Sequence, residues 1–66
     1  MYAIWDRERK AFLNADGVTY TAPEKGVLND LYDVALFTKG EYIRNVLPYP
    51  QQWRYVAPRI KWRMIE

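Results

Sequence analysis

Sixty-six residues with a net charge of +2 leave room for one domain, and one this short buries only about 60% of the surface its unfolded chain exposes. The chain contains no cysteine, no histidine and no serine, which excludes a disulfide framework, a zinc finger and the familiar nucleophile–base pairs. What remains to stabilise it is aromatic bulk, three Trp, six Tyr and two Phe, each ring able to bury roughly 150–250 Å².

Tyr2-Ala3-Ile4-Trp5 is rich in strand formers, and Ala11-Phe12-Leu13-Asn14 reads as its return strand. Between them, Asp6-Arg7-Glu8-Arg9-Lys10 predicts a type I-based hairpin loop built at negative φ. Asp16-Gly17 predicts a second, primed hairpin turn, since glycine accepts positive φ without a steric penalty. Val18-Thr19-Tyr20-Thr21 then completes a three-stranded antiparallel meander. Over residues 23–31 the signals conflict. Thr21 and Glu24 have capping-box spacing, whereas Gly26 costs about 1 kcal/mol in a helix interior, so a turn is expected there. Val34-Ala35-Leu36-Phe37 follows as a short strand.

Thr38-Lys39-Gly40-Glu41 is a capping box, with Phe37 and Tyr42 at the two positions of a hydrophobic staple. It predicts a helix of about two and a half turns whose stripe Tyr42, Ile43, Val46 and Leu47 docks on the sheet. Pro48 ends it. Pro48-Tyr49-Pro50-Gln51-Gln52 reads as a stiff extended connection and Trp53-Arg54-Tyr55-Val56-Ala57 as strand-like. Arg59-Ile60-Lys61-Trp62-Arg63-Met64 alternates basic and apolar residues. It predicts a closing strand with Ile60, Trp62 and Met64 inward and the cations outward. The fold class expected is therefore α+β, a small antiparallel sheet made of the meander and the C-terminal strand, with one short capped helix packed on it.

Charge is divided along the chain. Residues 1–33 hold four basic and six acidic side chains, and residues 34–66 hold six basic and two acidic. Same-face neighbours on a strand stand about 6.5–7 Å apart, so Arg54, Arg59, Lys61 and Arg63 would form a basic stripe. Tyr49, Trp53 and Tyr55 would stand beside it. Such a stripe suits an acidic protein surface, because Arg, Trp and Tyr are enriched at interface hot spots. It suits nucleic acid too, with cations on phosphates and rings under bases. The plainer use of those cations is to protect a sheet edge from aggregation.

No spacing of residues marks a catalytic centre, a calcium loop, a phosphate-cradling loop or a cofactor site, and no enzyme, metal or cofactor is expected. No apolar run approaches the ~20 residues of a membrane span. Met1–Asp6 runs straight into Arg7-Glu8-Arg9-Lys10, unlike a secretory leader, which predicts a cytoplasmic protein. Homodimerisation would be another way to cover surplus rings.

In order, these residues resemble a pattern shared by small phage-encoded and prophage-encoded proteins. An N-terminal Tyr-x-Ile hairpin has an aromatic-Leu return, here Tyr2-Ala3-Ile4 and Phe12-Leu13. An Ala-x-Phe-Thr segment, here Ala35-Leu36-Phe37-Thr38, leads into a short helix, and a strand closes the chain. The resemblance covers most of the chain, rests on core and cap positions, and carries no functional residue across. The aromatic segment from Pro48 to Pro58 departs from the pattern. The resemblance implies a stoichiometric binder of a host protein in the host cytoplasm, in the manner of anti-CRISPR and other anti-defence inhibitors.

Overall fold

The computed structural model describes residues 1–23 and 33–56 in full and residues 63–64 by their backbone. Among the described residues six strands and one helix follow in order: β1 (Tyr2–Asp6), β2 (Ala11–Leu13), β3 (Tyr20–Thr21), β4 (Ala35–Leu36), α1 (Lys39–Arg44), β5 (Gln51–Tyr55) and β6 (Arg63–Met64). The chain is thus mixed α+β and mostly strand. A four-stranded antiparallel sheet has the order β3-β2-β1-β5, and β4 pairs with β6 in parallel.

The N-terminal meander forms, though its third strand holds only Tyr20 and Thr21, with Val18 and Thr19 in the turn, and the strand that completes its sheet is β5. The C-terminal strand instead lies along β4, with Arg63 opposite Ala35. Residues 51 and 52, expected in a connection, are the first two of β5; the turn is confined to Tyr49 and Pro50 before them. The inward or outward placement expected of Ile60, Trp62 and Met64, and of Arg59, Lys61 and Arg63, lies outside the described residues, as does the turn expected from 24 onward.

Both hairpin loops are organised by an aspartate. In the first, Asp6 Oδ1 accepts from the amides of Glu8 (3.0 Å) and Arg9 (2.8 Å), and Oδ2 from the Arg9 guanidinium (2.9 Å). This carboxylate is only 1% exposed. The Arg9 amide, joined by the Arg9 side chain and the Glu8 amide, holds its pKa below the ordinary value against the opposing effect of burial. The loop does not stay at negative φ as expected: Lys10 has φ 53, because a type I-based loop commonly closes through one left-handed residue.

In the second loop Asp16 Oδ1 accepts from Val18 and Thr19 amides, both at 2.8 Å, and Oδ2 from the Thr19 hydroxyl at 2.6 Å. Gly17 takes the anticipated positive φ, 75°, and its amide donates to the Asn14 carbonyl. The turn is wider than a two-residue primed one, however. Its bonded ends are Asn14 and Thr19 (2.8 Å), since Asp16 itself stays at negative φ and pulls the next two amides onto its carboxylate.

β1 and β2 are in register only at Trp5–Phe12 and Asp6–Ala11. Beyond that the hairpin splays, and residues 33–37 take the vacated places. The Ala15 amide donates to the Asp33 carbonyl (2.9 Å), Asn14 bridges Val34, and Tyr2 and Phe37 exchange both main-chain bonds (3.0 and 2.8 Å). This inserts Val34 and Leu36 into the core with Ala3, Trp5, Phe12 and Val56, and Met1 packs against the cluster. Trp5 meets Phe12 edge to face, centroids 4.7 Å apart, in a geometry that aromatic quadrupoles favour.

Candidate interaction surface

Pleating divides the side chains of β1 and β5 between two faces. Ala3, Trp5, Gln52 and Arg54 share the core face; Tyr2, Ile4, Asp6, Trp53 and Tyr55 share the opposite one. β1 is apolar on both sides, so the second face also needs cover, and α1 supplies part of it.

The helix starts at Lys39 with Thr38 as its N-cap, whose hydroxyl accepts from the Glu41 amide at 3.3 Å. The capping box thus marks the helix start correctly. The Tyr42 ring stacks on Tyr2, centroids 4.2 Å apart and planes 6° from parallel, and meets Trp53 at right angles at 6.1 Å. Phe37 meets Trp53 edge-on at 5.3 Å, so both members of the expected staple pack on the same indole.

Of the rest of the expected stripe, Leu47 is half-buried while Ile43 and Val46 do not dock. The helix stops at Arg44, and the Asn45 main-chain and side-chain amides both donate to the Glu41 carbonyl (3.1 and 2.9 Å). The Asn45 carbonyl, released from the helix, accepts from the Trp53 indole at 2.8 Å. Ile43, still within the helix, is 65% exposed, and Val46, just past its end, is 97% exposed. A shallow groove of about 490 Å³ lies between this segment and β5. It is lined by Tyr42, Ile43, Val46, Leu47 and Trp53 together with Asn45, Gln51 and Gln52, and by no charged residue.

The seven residues expected to bind are not all brought together. Trp53, half-buried, and Tyr55, 65% exposed, share the outer face, where Tyr55 meets Tyr2 edge-on at 5.7 Å. Tyr49, also exposed, sits in the turn before β5 with the Arg7 guanidinium 5.9 Å from its ring centroid. Arg54 is on the core face, its guanidinium 4.2 Å from the Trp5 ring centroid, so strand alternation separates it from Trp53 and Tyr55. Arg63 is placed by its backbone beside β4, while Arg59 and Lys61 lie outside the described residues.

Sequence reasoning missed Tyr2, Tyr42, Ile43 and Val46 as surface residues. The signal was present in Tyr2-Ala3-Ile4-Trp5, whose lack of polar alternation marks a strand with two apolar faces.

Among the described residues no group of three or more acidic side chains is placed to hold a metal ion, and no helix is long and apolar enough to cross a membrane. The chain matches no protein-family model, no curated protein and no solved structure. The class that fold and surface define is a small mixed α+β domain carrying a partly covered aromatic face.

Proposed function

We propose that the chain is a small non-enzymatic protein-binding module that uses its outer, aromatic face. The observation that carries this is the clustering of exposed apolar side chains. Among the described residues, Tyr42, Ile43, Val46, Tyr49 and Tyr55 are exposed within one stretch of chain that also lines the groove, and only Val18 is exposed elsewhere. Concentrated apolar exposure of this kind on a small domain marks an interaction surface. Exposed Arg7, Lys39 and Arg44 lie in or beside the same elements, and Glu41 is the one acid of α1, which suits an acidic protein partner. The more specific form of the proposal, a phage-type inhibitor of a host protein, rests on the sequence pattern of Tyr2-Ala3-Ile4, Phe12-Leu13 and Ala35–Thr38.

The test uses residues whose replacement leaves the fold alone. Val46→Asp and Ile43→Asp chains, immobilised beside wild type, are exposed to lysate and to random oligonucleotides at two salt concentrations. Loss of a protein partner by folded variants is the expected result. Partners bound equally by all three chains would contradict the assignment. Salt-sensitive binding of oligonucleotide alone would favour a nucleic-acid-binding domain instead.

A further inference from the structure

The hydrogen-bond directions of β5 specify how such a partner would be held. In an antiparallel ladder alternate residues direct their main-chain groups to the same neighbour. The ends of the β1–β5 ladder fix the phase: the Val56 amide donates to the Met1 carbonyl (3.0 Å), and the Arg7 amide to the Pro50 carbonyl (2.9 Å). Gln52 and Arg54, in step with these and opposite Trp5 and Ala3, therefore bond to β1. Gln51, Trp53 and Tyr55 direct their main-chain groups the other way, where the Gln51 amide is taken by the Pro48 carbonyl (2.9 Å). Among the described residues the sheet ends at β5. The Gln51 carbonyl and both main-chain groups of Trp53 and Tyr55 thus form a row along an edge, next to the apolar groove.

We propose that the partner adds an extended strand to this edge of β5, with apolar residues on the groove side and an acidic residue on the side of Arg54. This rests on the reading of the chain as a protein-binding module and gives that reading its geometry. Strand addition draws affinity from main-chain bonds and specificity from sites for alternate side chains. Here one set of alternate side chains falls beside Trp53 and Tyr55 and the groove containing Val46 and Leu47. The other set falls beside Arg54, whose guanidinium is held over Trp5. A second copy of β5 is a poorer occupant. Pairing with itself about Trp53 would set both Arg54 side chains on one face, and Gln51–Tyr55 contains no carboxylate to meet them.

The chain is short enough for chemical synthesis, which allows N-methylation of the Tyr55 amide to block the outward donor while retaining every side chain. The probe is an extended peptide of about seven residues alternating valine and glutamate, with a valine–lysine peptide as control. Wild type is expected to bind the glutamate peptide about tenfold or more tightly than the lysine peptide, and the N-methylated chain to lose at least as much. Arg54→Glu, a second variant that retains the edge, is expected to invert the preference between the peptides. Equal binding by wild type and N-methylated chain, an unchanged order with Arg54→Glu, or no binding of either peptide by wild type overturns the proposal. These outcomes are separable from failure of the module itself. A lysate partner lost by Val46→Asp but kept by the N-methylated chain leaves the aromatic face as the binding surface and removes only the edge-strand mode.

Discussion

Both faces of β1 carry apolar residues, and the two meet different ends. On the core side, Ala3 and Trp5 are closed over by Phe12, Val34, Leu36 and Val56, and Leu36 is 1% exposed. On the outer side Ile4 and Asp6 are buried, but Tyr2 is met by a helix of six residues, none of them buried, and the rings spread onward through Tyr42, Trp53 and Tyr55 to solvent. Hydrophobic patterning tells which residues avoid water, but not whether the chain itself or another molecule excludes it. The difference is decided by lengths. Residues 33–37 are long enough to fill the splayed hairpin, whereas α1 ends before Val46 can turn inward.

Substitutions sharpen that contrast. Trp5→Ala, which removes the ring at the centre of the core, should cost about 3–5 kcal/mol, a large fraction of a small domain's stability, and be visible as collapse of the urea midpoint. Tyr55→Ala on the other face should leave a folded chain, losing about 0.5–1.5 kcal/mol with the Tyr2 edge contact. If the two variants are equally destabilised, the division between faces is wrong.

The two loop aspartates make a smaller comparison of the same kind. Asp6 is buried and ion-paired with Arg9, and Asp16 is exposed; hydrogen bonds hold both carboxyls below the ordinary pKa. A group whose folded pKa is depressed contributes stability in full above its unfolded value, near 3.9 for aspartate, and loses it as pH falls through that value towards the folded one. The wild-type midpoint should therefore drop between about pH 5 and pH 3. Asp6→Asn should flatten that drop by removing the carboxylate. An identical pH profile for the variant would show that Asp6 is not held as described.

Thr38→Ala removes the helix N-cap and should lower stability by about 1 kcal/mol. Lys10→Gly should move in the opposite direction, by up to about 1 kcal/mol, since φ 53 disfavours a side chain. Smallest of all, Val46→Asp should change stability by no more than about 0.5 kcal/mol, because that side chain is almost wholly in water.

Features written in a few adjacent residues were legible from sequence. Thr38 to Glu41 announced the helix start, Gly17 the left-handed residue of a turn, and Tyr2 to Leu13 a hairpin. Features that depend on distant partners were not. The alternation of Arg59 to Met64 marks strand character but does not say which strand it joins, and β6 pairs with β4 rather than with the main sheet. Gln51-Gln52 looked like linker because Pro48 and Pro50 precede them, yet β1 had a free edge to fill. The residues of the candidate surface were half-legible for the same reason. Tyr49, Trp53 and Tyr55 stood out as more rings than one strand face needs, but Arg54 was grouped with them although pleating sends it to the other side. Tyr42, Ile43 and Val46 read as core until Asn45 is seen to end the helix.

The central claim is that the outer face binds while the inner face holds the fold, and each carries a tryptophan at a known place. The most direct measurement is the indole N–H resonances of Trp5 and Trp53, followed by NMR while a captured partner is titrated in. The expected result is that the Trp53 indole, beside the groove and bonded to Asn45, shifts or broadens most on binding, while the Trp5 indole, in the core beneath Arg54, moves less. A partner that moves the Trp5 resonance and leaves Trp53 undisturbed would place binding on the opposite face and contradict it.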